Sequence, residues 1–318
     1  MDSTFVVGID VGGQTSKIGV VDASGNVLAQ TVIRTDTHDQ VGLYIAELAE
    51  AVKGLIKESG TEGKIKGIGV GAPNGNYYTG TIENAPNLTW GHDKVEFSKL
   101  LSEAMGGLPV SLTNDANAAA VGEMTYGAAK GMKNFIMITL GTGVGSGVVI
   151  DGDVVYGHDG FAGELGHVTA VRTNGRVCGC GKTGCLETYA SATGVARTAG
   201  EWLELSDEPS VLRGLDKIAS KDVYEAAKAG DKLALKIFEF TGKILGRSFA
   251  DFIAFSSPEA IVLFGGLARA KEFLTAPIED AMNENVMPMW RNKVKIVYSQ
   301  LKESDAAILG ASALAWEL

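Results

Sequence analysis

Glycine supplies 42 of the 318 residues and proline only 7, while 45% of the chain is hydrophobic. Glycine at nearly twice its usual ~7% share, with no Gly-X-Y period and with so much apolar material, excludes collagen-like and disordered chains. Lys and Arg total 28 against 38 Asp and Glu, a net charge of −10, which argues against nucleic acid or an anionic membrane as partner.

In chain order, Phe5–Asp10, Lys17–Asp22 and Val27–Ile33 read as three strands of an antiparallel meander, turned by Val11–Ser16 and by Ser24-Gly25-Asn26. The 3.6-residue period then predicts a helix over Val41–Ser59, with Leu43, Ala46, Leu48, Val52, Leu55 and Ile56 as its apolar set. Lys66–Gly71 and Val110–Thr113 read as buried strands, and Ala72–Asn87 as a loop by its Gly, Asn and Pro content. Asp115 should open an alanine-rich helix. A second meander follows, with strands Asn134–Leu140 and Ser146–Ile150 around Gly141–Gly145 and a hairpin turn at Asp151-Gly152-Asp153, so the N-terminal design repeats. Thr193–Thr275 is mostly helical apart from Leu212–Ser220 and a strand at Ala260–Phe264. Lys293–Tyr298 is a last strand and Asp305–Trp316 a last helix. Such alternation indicates an α/β chain with mixed sheets, of a length that suggests two domains; a cleft between them would suit a small ligand. No run approaches the ~18 apolar residues of a membrane span, and MDSTFVVGID lacks the basic start of a signal peptide, so a cytoplasmic protein is expected.

Asp10-Val11-Gly12-Gly13-Gln14-Thr15-Ser16-Lys17 places a carboxylate at a strand end, glycines in a turn, and hydroxyl and ammonium groups after it. Glycines let backbone N–H groups reach a phosphate, and the carboxylate can hold Mg²⁺; an ordinary hairpin accounts for the same residues. Gly141-Thr142-Gly143-Val144-Gly145 is a second turn of this kind, and two of them suit a nucleotide triphosphate. Neither is a Rossmann fingerprint, because Ser146 stands where a glycine is required, and Gly181-Lys182-Thr183 is no P-loop, because Arg176 stands at the earlier glycine position. Asp115, with Asn114 beside it, is either a helix N-cap or a general base taking a proton from a substrate hydroxyl during attack on a γ-phosphate.

All three cysteines, Cys178, Cys180 and Cys185, fall within eight positions. In a reducing compartment they suit a metal better than a disulfide, and His167 upstream completes a closed, structural Zn²⁺ set; the alternative is three separate buried thiols. The metal would pin the loop carrying Glu164 and Glu187, two rigid acceptors for sugar hydroxyls.

Together these residues closely resemble the ROK family of bacterial sugar kinases, within the actin/hexokinase superfamily. The resemblance covers nearly the whole chain, through Asp10–Lys17, Ala85-Pro86-Asn87, Asn114-Asp115, Gly141–Gly145, Gly163-Glu164-Leu165-Gly166-His167, the cysteine run ending at Glu187, and Gly265-Gly266. It implies a two-domain actin-like ATPase (ribonuclease H-like) α/β fold with mixed sheets flanked by helices and a cleft between the domains. Residues 1–114 plus 305–318 would form the smaller N-terminal domain, and 115–304 the larger domain with the zinc loop and nucleotide site. The resemblance further implies Asp115 as catalytic base toward the hexose 6-hydroxyl, with Asn87, Asn114, Glu164, His167 and Glu187 binding the sugar; His167 would serve zinc and sugar through its two nitrogens. Asp10 would position Mg²⁺, and Gly12, Gly13, Thr15, Lys17, Gly141, Thr142, Gly143, Gly265 and Gly266 would line the ATP site. Gln14, where the family usually has Thr, and Asn74, where a Gly commonly follows the Pro, depart from the pattern. The implied activity is ATP-dependent phosphorylation of glucose, a glycolytic step, with an N-acetylglucosamine or N-acetylmannosamine kinase as the alternative. A homodimer or tetramer is also implied. A sugar-sensing ROK regulator is the rival from another class; the first strand begins so early that no DNA-binding segment is expected ahead of it. The glycine excess is expected to mark where backbone approaches a ligand.

Overall fold

The computed structural model describes residues 4–302 and 304–318, so Met1, Asp2 and Ser3 of the N-terminal stretch lie outside the described residues. Contacts divide the chain into two compact units, residues 1–132, 153–163 and 300–318 in one and residues 133–152 and 164–299 in the other.

The first unit is built on strands β1 (Phe5–Val11), β2 (Thr15–Asp22) and β3 (Val27–Arg34), the meander expected from the sequence, and continues through helix α1 (Val41–Glu58) to β4 (Ile65–Gly71). Helix α1 buries Tyr44, Ile45, Leu48, Ala49, Val52 and Leu55. Leu43 and Ala46 point outward instead; Tyr44 supplies what they were expected to, because its ring stacks on Trp90 and its hydroxyl bonds Ser16 Oγ at 2.7 Å. The segment after β4 is no bare loop. It contains β5 (Gly75–Asn76) and β6 (Thr81–Glu83), which pair with β7 (Lys94–Val95) in a small sheet, followed by α2 (Phe97–Ala104). Strand β8 (Val110–Thr113) completes a main sheet in the order β3-β2-β1-β4-β8, in which β1, β4 and β8 are parallel.

Helix α3 (Asp115–Tyr126) follows directly. The sequence drew a domain boundary at Asp115, yet α3 packs within the first unit, where Ala118 and Val121 form a buried cluster with Ala313 and Leu314.

In the second unit, β9 (Phe135–Leu140) and β10 (Val144–Ile150) form the second hairpin around Gly141–Gly143, and Asp151 and Gly152, at φ 53° and 92°, turn the chain out of β10. Beyond the short β11 (Asp153–Val154) of the first unit come α4 (Glu187–Ala190), α5 (Ala192–Leu205), α6 (Ser220–Lys228), α7 (Lys232–Ser256), β12 (Ala260–Phe264), α8 (Lys271–Asn285) and β13 (Lys295–Tyr298). The strands run β10-β9-β12-β13, with β9, β12 and β13 parallel. An antiparallel hairpin feeding parallel strands thus occurs in both units, as the repeated glycine-turned design suggests. Helix α9 (Ala306–Leu314) closes the chain on the first unit, where Ile308 and Leu309 join Val6 and Val21 in one cluster. No helix among the described residues is long and apolar enough to cross a membrane.

Candidate active site and metal centre

In the first unit, β1 ends at the turn between Asp10 and Lys17, which are register partners across β1 and β2 and therefore share a face of the sheet. The turn is tight: Gly12 N–H donates to the Thr15 carbonyl at 3.1 Å, and a Cβ on Gly13 would stand 2.8 Å from the Asn87 carbonyl. Backbone contact thereby brings the first glycine turn beside the exposed Asn87. Gln14 is exposed, and its carbonyl accepts from Thr35 N–H at 2.9 Å.

Asp10 has its pKa raised from 3.8 to about 6, first by burial and then by the negative charge of Asp115, with Lys17 opposing. Asp115 occupies the first turn of α3, and the cap is Asn114: its Oδ1 accepts from Asn117 N–H at 2.6 Å. The N-cap alternative for Asp115 is therefore not what the fold uses. Asp115 keeps solvent-accessible surface, yet protein atoms crowd it and cost its charged form hydration, which raises its pKa; backbone N–H groups, first that of Ala116 at 2.9 Å and then its own, pull the other way. A reachable, poorly hydrated carboxylate with a second carboxylate near it is the chemistry of a proton acceptor beside a cation position.

Asn74, the departure from the glycine pattern, has φ 52° and so adopts the left-handed backbone a glycine would supply. Its amide donates to the Glu83 and Asn84 carbonyls at 3.0 and 2.8 Å, clamping the segment that leads to Asn87.

The second unit carries the other glycine turn. Gly141 N–H donates to the Gly143 carbonyl at 3.0 Å, and the start of α5 holds the turn through Ala192 N–H to the Gly141 carbonyl and Thr193 Oγ1 to the Thr142 carbonyl. Gly265, at φ 105°, lies against the end of β9, where a Cβ would meet the Leu140 carbonyl at 2.6 Å; Gly266 begins the short helix beyond it. Gly265 and Gly266 thus adjoin the turn through Leu140.

His167, Cys178, Cys180 and Cys185 converge with their ligand atoms all within 4.8 Å of one another. Cys178 Sγ lies 3.7 Å from His167 Nδ1, and Cys180 Sγ lies 3.7 Å from Cys185 Sγ. A tetrahedron with zinc–sulfur bonds of ~2.3 Å has edges of about 3.8 Å, so four donors of this type and spacing fit Zn²⁺. Burial and neighbouring thiols push Cys185 up to about 12, a cost that a bound dication reverses by stabilising thiolate.

Two residues outside the expected set build this centre. Arg176, buried, donates to the Thr188 carbonyl at 2.8 Å and to Thr198 Oγ1 at 2.9 Å, pairs with Glu201, and lies over the Tyr189 ring. It ties the cysteine loop to α4 and α5. Lys182 Nζ donates to the His167 carbonyl at 2.7 Å. A lone Arg in a loop carries no pattern that would have singled it out.

Glu164 is exposed, and its carbonyl accepts from His167 N–H at 3.1 Å. Glu187 is half-buried, and both of its oxygens face protein groups: Oε2 accepts from Val144 N–H at 2.9 Å, and Oε1 lies 3.7 Å from Cys178 Sγ. The structure thus groups Asp10, Lys17, Asp115 and the Gly13–Asn87 contact in one unit, and the zinc ligands, Glu187 and the second turn in the other.

A model of the ROK family matches residues 6–317. The chain is 38% identical over 315 residues to the glucokinase of Halalkalibacterium halodurans, covering 98% of this chain and 94% of that one. It is 27% identical to the xylose repressor of Caldicellulosiruptor bescii, over 98% of this chain and 78% of the repressor. The crystal structure of a ROK family glucokinase from Streptomyces griseus in complex with glucose and AMPPNP matches with a TM-score of 0.80 and 32% identity, over 99% of this chain and 100% of that one.

Proposed function

We propose, for a chain that belongs to the ROK family, that it is an ATP-dependent glucokinase transferring the γ-phosphoryl group to the glucose 6-hydroxyl. The observation that carries this reading is Asp115, a solvent-reachable carboxylate of raised pKa whose charge acts on Asp10, in a chain similar to a glucokinase over nearly its full length. Asp115 takes the proton of the attacking hydroxyl, and Asn87 and Asn114 hydrogen-bond the sugar. Asp10 would hold Mg²⁺, which would supply positive charge against the phosphates, while Gly12, Gly13, Thr15 and Lys17 contact them. Gly141, Thr142, Gly143, Gly265 and Gly266 take the rest of the nucleotide. Glu164, Glu187 and the second nitrogen of His167 accept and donate hydrogen bonds to sugar hydroxyls. Zn²⁺ at His167, Cys178, Cys180 and Cys185 supplies rigidity, since a closed four-ligand site leaves no position for substrate. The protein acts in the cytoplasm as a homo-oligomer.

The test is coupled ADP release with Mg-ATP across glucose, other hexoses, N-acetylglucosamine and N-acetylmannosamine. Glucose should give the highest kcat/KM, and Asp115→Ala should abolish turnover while the circular dichroism spectrum is unchanged. Preference for an N-acetylhexosamine would reassign the substrate, and an active Asp115→Ala would remove the base. The similarity to a xylose repressor favours a second reading, a sugar-binding regulator; sugar binding without any phosphotransfer would select it.

A further inference from the structure

Glu187 stands between the metal centre and the second glycine turn. One oxygen, Oε2, accepts from Val144 N–H at 2.9 Å, and the other lies 3.7 Å from Cys178 Sγ. The fit at the turn is close, since a Cβ on Gly143 would come 2.4 Å from Oε2. The helical turn carrying His167 leans on Val144 as well, where a Cβ on Gly166 would stand 2.0 Å from the Val144 carbonyl, and Leu165 N–H donates to Ser146 Oγ at 2.9 Å. Both peptide groups of Val144 are therefore flanked by residues that the metal ligands hold.

We infer that Glu187 is a positioning residue which transmits the order of the zinc loop to the Gly141–Gly145 turn, so that metal occupancy sets nucleotide affinity. The reasoning is one of constraint. Glu187 begins α4 two residues after Cys185, whose carbonyl accepts from Thr188 N–H at 3.1 Å and from Thr188 Oγ1 at 2.8 Å. A metal that holds Cys185 therefore fixes where Glu187 starts, and its Oε2 then fixes the Val144 peptide and with it the N–H groups of the preceding turn. When Cys185 loses its metal, Glu187 loses that anchor and the turn gains conformations that do not bind. The inference rests on the nucleotide reading of this turn given above.

Two measurements on the full chain test it, one of them independent of nucleotide. In amide hydrogen exchange, the segment spanning Thr142–Ser146 should be protected in zinc-loaded protein and lose protection on chelation of the metal and in Glu187→Ala. Unchanged protection in Glu187→Ala would overturn the inference and leave the nucleotide reading standing. In calorimetric titration with Mg-AMPPNP, Glu187→Ala should bind roughly tenfold or more weakly than wild type, the size expected for a hydrogen bond to a charged acceptor. Glu187→Gln, which keeps an acceptor oxygen for Val144 N–H, should retain most of that affinity while losing sugar affinity, a split that a general folding defect would not produce. Metal removal should weaken AMPPNP binding in the wild type and add little in Glu187→Ala; equal weakening in both would refute transmission through this residue. Failure of AMPPNP to bind the zinc-loaded wild type would overturn the nucleotide reading and the inference together.

Discussion

Replacing Asp10 by Asn should stabilise the metal-free protein while destroying its activity. Asp10 titrates at about 6 in the folded chain against an ordinary 3.8, chiefly because burial penalises its charge and secondly because Asp115 repels it. The folded state thus holds the proton more tightly than the unfolded state. Its contribution to stability is fully present below pH 3.8 and is lost as pH rises through about 6. The difference of about 2.2 pH units, at ~1.36 kcal/mol per unit, gives about 3 kcal/mol at pH 8. Residual solvent access makes that figure a ceiling. In EDTA at pH 8, Asp10→Asn should therefore unfold at higher temperature, by up to about 6–12 °C for a unit of this size, and the gain should fade toward pH 4. In an Asp115→Asn background the gain should shrink, because one source of repulsion has already gone. Mg-AMPPNP should raise the melting temperature of the wild type and not of Asp10→Asn. The reasoning fails if Asp10→Asn is no more stable than wild type at pH 8, or if its gain does not change between pH 8 and pH 4.

Arg176→Ala removes a buried guanidinium from the Thr188 carbonyl and Thr198 Oγ1; at ~1.5–3 kcal/mol per charged hydrogen bond it should cost about 3 kcal/mol or more in urea unfolding and speed zinc loss to a chelator. Gly69→Ala would place a Cβ 1.9 Å from the Ala311 carbonyl on α9, a backbone clash that no rotamer relieves, so soluble yield or melting temperature should fall sharply, by more than the ~1–3 kcal/mol of ordinary overpacking. At Asn74, with φ 52° and two side-chain bonds to carbonyls, Asn74→Ala should destabilise more than Asn74→Gly, because both lose the bonds and only Ala adds backbone strain, of about 1 kcal/mol; equal melting temperatures for the two variants would show that the left-handed backbone carries no strain.

What could be read from the chain depended on whether a feature was local. Both hairpins, the strand Val110–Thr113 and the Cys/His set announce themselves in short windows, so their expectations survive folding. The face of α1 did not, because Leu43 and Tyr44 are both apolar and only the partners Ser16 and Trp90 decide which turns inward. Strands of two and three residues at Gly75–Asn76 and Thr81–Glu83 are too short to carry a period. The Arg176–Glu201 pair and the Glu187–Val144 bond join residues 25 and 43 positions apart, and nothing in either neighbourhood names its partner.

Glycine is the clearest case, because its abundance invites one explanation and the structure requires two. Gly13, Gly143 and Gly265 lie in or beside the proposed phosphate turns, and what a Cβ would strike there is the Asn87 carbonyl, the Glu187 carboxylate and the Leu140 carbonyl. Gly8 and Gly69 serve packing: their missing Cβ atoms admit the Ile308 and Ala311 carbonyls of α9 onto the first sheet, and Gly122 of α3 meets Gly310 of α9 backbone to backbone. The same residue type thus shapes ligand turns and lets the last helix dock at backbone distance. The two uses separate experimentally, since alanine at Gly143 should act on nucleotide binding while alanine at Gly69 should act on folding.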